Sequence, residues 1–499
     1  MHRHLPAASD GTGRVISTPD TSAAPDRTRP SALNPEALSD IGDALVADGV
    51  REYAATGARH FRVGAHPYYL SAEQVAFFEA LGPHLLSFYR ALDLLYRRAH
   101  KGLAPGFVAD WMDRGKPEEV LRLARMGRFK RAMPAVIRPD VFFTDDGPRI
   151  TELDSVPGGI GLTDALNHHY AAAGCDVVGG ADGMTQGFAE ALFALTDEPD
   201  PVTAIVVSDE SGAYRDEMRH MALRLRTRGI SAHVLHPSEV MLDDAGLFLV
   251  RAGERCGIDV LYRFFEMFDL ANVAGSEPML TAAKKRQVAM TPPPKPQLEE
   301  KLAMALFHHP ALFAYWRQEL GEAGQAFLSS VLPRTWVMDP TPVPPHAVIP
   351  GLAPNGVPLQ GWDSLKGLGQ KARRMVIKPS GFSEMAWGGR GVVIGHDMQE
   401  SEWDAAVDAA VENFSHSPHV LQPFHKPKRV SCSYLAENGI ARMGARARLC
   451  PYYFVADDRV KLGGILATVC PEDKKRIHGM TDAVMIPCAP PRTRDAGER

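Results

Sequence analysis

The sequence predicts a mixed α/β (α+β) fold, and three patterns along the chain support that prediction. From about 35 to 130, apolar residues recur at the spacing that buries one face of a helix. Two short apolar runs at about 136 to 154 predict a pair of strands. Between 200 and 270, four short apolar runs and an amphipathic helix are typical of a βαβ unit with a small parallel sheet.

The size and charge of the chain exclude several classes of protein. A chain of 499 residues is long enough to form two or three cores. Its 55 Lys and Arg against 60 Asp and Glu give a net charge of −5, so no strong positive field for nucleic acid or anionic lipid is expected. The six cysteines are scattered without a CxxC pair, and no apolar run approaches the roughly 20 residues of a membrane span. We therefore expect a cytoplasmic protein with no nucleic-acid or membrane partner.

Composition also predicts where the chain divides. The start is rich in Pro, Ser, Thr and Asp and has almost nothing to bury, which predicts disorder. The run TPPPKP at 291 to 296 can continue neither a helix nor a central strand, which indicates a boundary. The predicted segments are a disordered N-terminal tail at 1–35, a helical region with the strand pair at 36–195, the βαβ domain at 196–275, a further α/β region at 276–480 and a flexible C-terminal tail at 481–499.

The strand pair at 136 to 154 contains an unusual set of charges. Asp145, Asp146 and Gly147 suit a three-residue hairpin loop, a type I turn closed by a left-handed glycine. If Thr144 faces Pro148 across that loop, the register of the whole hairpin follows. The facing pairs are then Asp140 with Glu152 and Arg138 with Asp154, and because side chains alternate along a strand all four share one face.

This register places two acids directly opposite each other. Like charges in that position destabilise a hairpin, so Asp140 against Glu152 calls for a compensating cation. Carboxylate oxygens are ligands that Mg²⁺ takes, usually one or two from the protein with substrate phosphates completing the octahedron. The alternative is a solvated acidic hairpin that binds nothing.

A second candidate region lies more than 200 residues further along the chain. Lys378 ends a predicted strand, and a glycine-rich loop at 381 to 391 joins it to the next strand at 392 to 394. Backbone N–H groups and an ammonium in such a loop can fold over a triphosphate, although the loop lacks the GKS/T signature and following helix of a Walker A motif. Ordinary turns have similar glycines. The loop glycines of interest are Gly388, Gly389 and Gly391.

A short predicted strand at 420 to 424 adds a third candidate element. Gln422 and Phe424 stand at alternate positions, so an amide and an aromatic ring share one face. Such a pair can hydrogen-bond and stack on a purine. The alternative is an ordinary edge strand whose Phe packs in the core.

Taken together, these elements resemble an ATP-grasp enzyme. Their order resembles the circularly permuted branch that includes glutathionylspermidine synthetase. In the ordinary order, an Arg-x-Asp and Glu-x-Asn hairpin closes the domain after the nucleotide loop. Here Arg138-Pro-Asp140 and Glu152-Leu-Asp154 precede Lys378 by more than 200 residues. One departure is that Asp154 stands where the family often has Asn, which adds a negative charge.

The resemblance covers about 130 to 470 and implies a role for each candidate residue. It implies ATP and Mg²⁺ as cofactors, a Rossmann-like pre-ATP-grasp domain at 196–275 and a nucleotide-binding region at 276–480. The implied roles are metal ligands for Asp140, Glu152 and Asp154, phosphate-binding lysines for Lys301 and Lys378, a mobile lid for Gly388, Gly389 and Gly391, adenine contacts for Gln422 and Phe424, and catalysis for Arg138. Arg446 and Arg448 are either further anion contacts or part of a basic strand facing water.

The implied reaction is a two-step ligation. A carboxylate attacks the γ-phosphate of ATP, and an amine then displaces phosphate from the acyl phosphate, giving a C–N bond, ADP and phosphate. The substrates would be small molecules or peptides. Three alternatives stay open: a kinase that phosphorylates without ligation, a non-catalytic nucleotide-binding scaffold, and a Rossmann-like binding protein. The last is disfavoured because Ser208 to Gly212 contains no GxGxxG.

Overall fold

The computed structural model of the chain describes residues 33 to 53 and 60 to 491, and at 387 and 388 it describes the backbone alone. The predicted disordered tail at 1–35 therefore lies almost entirely outside the described residues. The helices are α1 Pro35–Ala47, α2 Ala72–His100, α3 Phe107–Asp113, α4 Glu118–Arg125, α5 Ile160–Ala172, α6 Gly183–Phe193, α7 Arg215–Arg226, α8 Ser276–Lys285, α9 Leu302–His308, α10 Phe313–Val331 and α11 Glu400–Glu412.

The helical character predicted for 35 to 130 is confirmed, and its helices begin at recognisable caps. In α1 the Asn34 side chain accepts from the backbone N–H of Ala37 at 2.7 Å. The helix α2, of 29 residues, begins with a capping box in which Ser71 and Gln74 satisfy each other's backbone N–H groups. Its apolar face, including Phe78, Leu85 and Phe88, is fully buried. This face anchors the main core against the largest sheet.

That sheet has eight strands and contains the predicted hairpin. Its strands are β1 Arg62–Val63, β2 Tyr68–Tyr69, β3 Val136–Thr144, β4 Gly147–Asp154, and four that follow much later in the chain. The hairpin β3–β4 forms one edge because β3 pairs antiparallel with the long strand at 439–456. The later strands, labelled in chain order with those below, are β16 Arg429–Ala436, β17 Gly439–Ala456, β18 Arg459–Pro471 and β19 Val484–Ala489.

The strand β19 differs from the sequence-based expectation for the C-terminus. A flexible tail is predicted from 481, whereas β19 pairs with β18, β1 and β2. Val484, Cys488 and Ala489 are fully buried. The short apolar run is stabilised by neighbours from both ends of the chain, which local composition cannot reveal.

A four-stranded parallel sheet confirms the predicted βαβ unit. Its order is β11-β10-β5-β6, with every pair parallel. Three of the four apolar runs at 200 to 270 are its strands, and the predicted boundary at 291 falls at the end of its fourth strand. The third run, at 248 to 250, was placed wrongly, because it belongs to a separate antiparallel sheet. The parallel strands are β5 Val202–Val207, β6 Ser231–Leu235, β10 Val260–Phe264 and β11 Ala289–Thr291.

Two smaller antiparallel sheets complete the described structure. One is the three-stranded sheet β7 Met241–Asp243, β8 Gly246–Arg251 and β9 Glu254–Gly257. The other has the order β12-β15-β13-β14, with α11 packed against β13. Its strands are β12 Trp336–Val337, β13 Met375–Pro379, β14 Val393–Ile394 and β15 His419–Pro423. This four-stranded sheet contains the predicted Lys378 and Gln422 strands. No helix in the described ranges is long and apolar enough to cross a membrane.

A buried charge network joins three of the helices. Asp164 of α5 is fully buried and accepts from His220 at 3.1 Å and from Arg224 at 2.9 Å, both on α7. On its other side, His220 Nδ1 lies 3.6 Å from Asp48 at the end of α1. Burial lowers the pKa of His220, but hydrogen bonds to Asp164 and Asp48 outweigh it and raise the pKa to about 9.

This network predicts a pH dependence of stability. Because the pKa of His220 is higher in the folded state, its protonation stabilises the fold. This stabilisation is fully present below the unfolded pKa of about 6.5 and is lost as the pH rises through about 9. The free energy of unfolding should therefore fall by up to about 3 kcal/mol across that window from His220 alone. Urea unfolding at roughly pH 6, 7.5 and 9, which covers the window of the pKa shift, measures the free energy of unfolding.

The matched control is a second buried histidine with the opposite shift. Burial lowers the pKa of His308 to about 4, so this ring is neutral throughout the window. The variant His220→Gln should flatten the pH dependence, whereas His308→Gln should leave its slope unchanged. Equal slopes in wild type and His220→Gln would contradict the assignment.

Candidate active site

A cavity of about 520 Å³ lies where the eight-stranded sheet meets the four-stranded antiparallel sheet. The strands β3, β4 and β17 line one side, and β13 and β15 line the other. Its volume is in the range of small-molecule sites. The predicted residues that it brings together are Arg138, Asp140, Glu152, Asp154, Lys301, Lys378, Gly389, Gln422 and Phe424.

The hairpin register predicted at the site is confirmed. Asp140 pairs with Glu152, and Arg138 pairs with Asp154. The predicted turn is wrong by one residue, because Thr144 faces Gly147 and the loop has two residues rather than three. An irregularity follows in which β4 has one extra residue between the partners of Asp140 and Val141. The two offsets cancel, which is why the register at the charged end is still correct.

The extra residue in that irregularity is Thr151, and it links the two sheets. Its carbonyl oxygen accepts a hydrogen bond from Lys378 Nζ at 2.9 Å. A bulge turns a backbone group out of the regular ladder, so this carbonyl is free to meet a side chain from β13. Burial lowers the pKa of Lys378 to about 8, against the attraction of Glu152. Lys378 is thus fixed against the acidic hairpin.

The three carboxylates of the hairpin each contact a cation of the protein. Asp140 lies 3.2 Å from Arg138 and 2.9 Å from Arg448. Asp154 lies 3.0 Å from the same Arg138, and Glu152 lies 3.1 Å from Lys301. The compensating charge that the sequence argument assigns to Mg²⁺ is therefore supplied in this structure by arginine and lysine side chains. Arg448 is accordingly not part of a strand facing water.

The balance of charge differs among these carboxylates. Burial favours the neutral form of each, but Arg138 and Arg448 hold the pKa of Asp140 below its usual value. Lys301 does the same for Glu152. For Asp154, burial raises the pKa, and the repulsion of Glu152 adds to it despite the nearby Arg138. Among the three carboxyls, Asp154 is therefore the one whose charged form is least favoured.

The three carboxylates are of the kind that binds a hard divalent cation, but each already forms an ion pair with an arginine or lysine side chain. In the described ranges, no group of three or more His, Cys, Asp or Glu side chains is arranged to hold a metal ion. Oxygen ligands are nevertheless what Mg²⁺ requires, and the Glu152 side chain is 38% exposed. The metal roles of Asp140, Glu152 and Asp154 thus stay predictions.

The glycine-rich loop after β13 closes one end of the cavity. Gly389, with φ of +69°, lines the cavity, whereas Gly391 does not. A Cβ on Gly391 would lie 2.7 Å from the Pro379 ring, so this close approach requires glycine. Gly388 lies outside the residues whose surroundings the structure describes. Arg390 pairs with Glu210 at 2.8 Å, so the loop also contacts the parallel-sheet domain.

The residues predicted to bind adenine are placed at the cavity wall. Gln422 is buried, and its amide donates to Thr335 Oγ1 at 2.9 Å. The Phe424 ring meets the His396 ring edge to face, 4.5 Å between centroids. The Gln422 amide N–H is therefore used within the protein, and the adenine contact stays a prediction.

Sequence reasoning missed several groups that line the cavity. Glu217 of α7 accepts from the backbone N–H groups of Gly159 at 2.7 Å and Leu162 at 3.4 Å, which holds the start of α5. Burial raises the pKa of Glu217 to about 7. Cys450 and Tyr452 follow Arg448 at alternate positions of β17. That alternation was the signal available in the sequence, since alternate residues share a face.

The comparisons with known proteins identify a fold. No family model matches the chain, and no curated protein is significantly similar to it. Solved structures do match, and the likeness is one of fold. One is a glutathione synthetase-like effector, GSS30, from Globodera pallida in its apo form. It has a TM-score of 0.54 and 12% identity, over 92% of this chain and 97% of that one.

A second match is weaker. A protein from Methylobacillus flagellatus KT, provisionally described as a gamma-glutamylcysteine synthetase, has a TM-score of 0.39 and 11% identity. The alignment covers 79% of this chain and 87% of that one, and at this score it adds nothing to the argument. The likeness to the first structure is at low identity, and it shows the fold alone.

The ion pair of Lys301 with Glu152 predicts a measurable coupling. Without the Lys301 ammonium, the Glu152 carboxylate faces Asp140 with no cation paired to it. Lys301→Met should therefore lower the free energy of unfolding at about pH 7, where carboxylates are charged. We expect about 1–2 kcal/mol, less than for a fully buried pair because Glu152 is partly exposed. Urea unfolding measures it.

A double-mutant cycle isolates the pair. Adding Glu152→Gln to Lys301→Met removes the unpaired charge, so the double variant should be more stable than the sum of the two single losses predicts. Additive losses would show that the two side chains do not interact in solution.

Proposed function

We propose that this protein is an ATP-dependent ligase that joins a carboxylate to an amine through an acyl phosphate. The observation that supports this most directly is the single cavity in which Arg138, three carboxylates and two lysines meet between two sheets. A glutathione synthetase-like fold is compatible with such chemistry. The proposal requires ATP and Mg²⁺, and substrates that are small molecules or peptides.

We further propose that the fold is a circularly permuted ATP-grasp. The acidic hairpin is β3–β4, whereas the strand with Lys378 is β13, so the hairpin precedes the nucleotide strand along the chain. The parallel sheet β11-β10-β5-β6 would be the pre-ATP-grasp domain. In space, the hairpin nevertheless faces Lys378, because Thr151 accepts its hydrogen bond.

The two lysines would bind the triphosphate. Lys378 and Lys301 lie near the same carboxylate: Lys301 pairs with Glu152 at 3.1 Å, and burial lowers the pKa of Lys378 while the attraction of Glu152 opposes that shift. Their ammonium groups are attached to different segments, so a polyanion placed between them would be held from two sides. The loop with Gly389 would cover it and keep water from the acyl phosphate.

Arg138 would act on the charge that develops during transfer. Its guanidinium already lies between Asp140 and Asp154 and donates to the Gly158 carbonyl at 3.3 Å. These three partners fix its orientation before a substrate arrives. Such a preorganised cation lowers the barrier, because no reorganisation is needed as charge moves.

The metal would be held by the carboxylates of the hairpin. When bound, Mg²⁺ neutralises charge on the phosphate oxygens of ATP. Glu152 and Asp154 are the ligands best placed for it, because Asp140 is already shared by two guanidinium groups. Glu152 and Asp154 each pair with a single cation of the protein, Lys301 and Arg138 respectively.

The balanced reaction has two steps. A carboxylate oxygen of the substrate bonds to the γ-phosphorus as the bond to ADP breaks. The amine nitrogen then bonds to the acyl carbon, phosphate leaves, and the amine releases a proton. No residue of the protein need become a covalent intermediate.

An ADP-release screen tests the proposed activity. Pairs of carboxylates and amines drawn from amino acids, short peptides and polyamines are incubated with ATP and Mg²⁺, and products are identified by mass spectrometry. ADP with a new amide supports ligation. ADP with a phosphorylated substrate indicates a kinase, and binding of ATP without turnover of any pair indicates a scaffold.

We expect replacement of Lys378 to weaken nucleotide binding specifically. Lys378→Ala should weaken ATP binding at least tenfold, because a charge-assisted contact contributes about 1.5–3 kcal/mol. Calorimetric titration measures the affinity. The matched control is Lys371→Ala, which removes an exposed lysine near the same strand and should leave affinity unchanged. Unfolding of Lys378→Ala with intact affinity would make Lys378 structural.

We expect replacement of Arg138 to lower the rate of the reaction rather than the affinity for ATP. Arg138→Met should lower kcat by on the order of 10² or more, because the lost charge acts on the transition state. The Kd for ATP should change only by a few fold. Wild-type turnover in this variant would remove Arg138 from the proposed chemistry.

Glu152 provides the contrasting variant. Glu152→Gln removes a proposed metal ligand, so its defect should lie in the affinity for Mg²⁺ and ATP and should be partly rescued by higher Mg²⁺. The defect of Arg138→Met should not respond to Mg²⁺, since a divalent cation does not replace the guanidinium. Identical Mg²⁺ responses in both variants would contradict these separate roles.

A further inference from the structure

A second cavity, of about 480 Å³, lies beyond the tip of the β3–β4 hairpin. We refer to it as the basic cavity. Its walls are the hairpin tip at 144 to 146, Arg374 before β13, the segment at 424 to 429 after β15, and Arg446 of β17. Phe424 and His425 line both this cavity and the first one. The two cavities are therefore neighbours.

Positive charge dominates the walls of the basic cavity. Five cations face two acids, Asp145 and Asp146. Among the ion pairs of the described residues, one of these cations has a carboxylate partner, namely Arg429 with Glu472 at 3.1 Å. The five cations are Arg374, Lys426, Lys428, Arg429 and Arg446. Cations gathered this closely repel one another unless an anion joins them.

Arg446 is the buried member of this group, whereas the other four cations are exposed to solvent. It is 6% exposed, and its guanidinium donates to the backbone carbonyls of Pro427 and Glu472. Both acceptors are neutral, and among the described residues no carboxylate forms an ion pair with Arg446. Arg448, two residues further on the same strand, has Asp140 as its counter-ion. Burying a charge without compensation is costly, which points to an anion from outside the chain.

The backbone holds these cations in place. The N–H of Phe424 donates to the Arg374 carbonyl at 2.9 Å, and the N–H of Lys428 donates to the Phe143 carbonyl at 2.7 Å. The segment after β15 is therefore tied both to the start of β13 and to the hairpin. A site whose frame is fixed in this way loses little conformational entropy when a ligand binds.

We propose that the basic cavity binds a phosphate-class oxyanion, either free or carried by a small molecule, that is separate from the nucleotide of the first cavity. Guanidinium groups match the oxygens of such an anion with paired hydrogen bonds, and lysines add charge. The limited volume, the two aspartates at the rim and the net charge of −5 for the whole chain favour a small anion over an extended polyanion. This site goes beyond the proposed ligase function and does not depend on it.

Calorimetric titration of the full chain with two probes tests the proposal. Inorganic phosphate and phenyl phosphate are titrated separately, with chloride keeping ionic strength constant so that general screening is the same. Tighter binding of phenyl phosphate assigns the site to organic phosphates, and tighter binding of inorganic phosphate assigns it to the free ion. Absence of binding by either probe overturns the proposal.

Paired variants locate the binding site. Lys426→Ala with Lys428→Ala removes two exposed cations of the basic cavity and should weaken phosphate binding at least tenfold. The control pair Lys284→Ala with Lys285→Ala removes the same charge from the exposed end of α8 and should change affinity by less than about twofold. Equal losses in the two pairs would reduce the effect to net charge and overturn the site.

A variant of the first cavity separates the two anion sites. Lys378→Ala should leave phosphate binding at the basic cavity intact, whereas loss of all phosphate binding in this variant would place the anion in the first cavity and overturn the proposal. Arg374→Gln is a further exposed variant that should also weaken phosphate binding. Thermal melting of each variant establishes that it is folded.

Discussion

Three consecutive charged residues, Glu299, Glu300 and Lys301, tie the sheets together around the first cavity. Glu299 accepts from Arg263 of the parallel sheet. Glu300 accepts from the backbone N–H that follows β13 at 2.9 Å, at the start of the glycine-rich loop. Lys301 pairs with Glu152 of the hairpin at 3.1 Å. Because each residue contacts a different sheet, a segment of three residues fixes the relative positions of all three.

The physical constraint behind this arrangement is the cost of burying charge. A buried carboxylate or ammonium is tolerated when a partner of opposite charge and hydrogen bonds replace its water. Here the partners come from distant parts of the chain, as with Lys116, whose ammonium lies 2.5 Å from Glu300. The sheets cannot move apart without leaving charges unpaired. The same pairs give the cavity cations and acids in fixed positions, which is the preorganisation that the proposed phosphoryl transfer requires.

Local regularities explain which features could be predicted from the sequence. The alternation of side chains placed Arg138, Asp140, Glu152 and Asp154 on one face, but their register is correct only because the error in the predicted turn and the bulge at Thr151 cancel. The pairing of Arg448 with Asp140 spans 308 positions, and that of Lys378 with Thr151 spans 227, so no local pattern indicates either. The bulge at Thr151 was missed for another reason. An extra residue is defined only by how a strand pairs with its partner, so the sequence of one strand does not indicate it. Tertiary packing likewise decided that β19 joins the large sheet.

The neighbourhood of the two cavities follows from strand geometry. On β17, Arg446 and Arg448 are two positions apart and so lie on one face of the strand. The hairpin runs beside that strand, with Asp140, Glu152 and Asp154 at one end and the tip, which contains Asp145 and Asp146, at the other. Arg448 therefore meets Asp140 in the first cavity, whereas Arg446 lies near the tip, beyond the reach of the same acid. One face of one sheet thus has a charge-compensated site and, one strand step away, a site with uncompensated positive charge. The difference between them is that Asp140 forms an ion pair with Arg448, whereas neither aspartate of the tip forms one with Arg446 among the described residues.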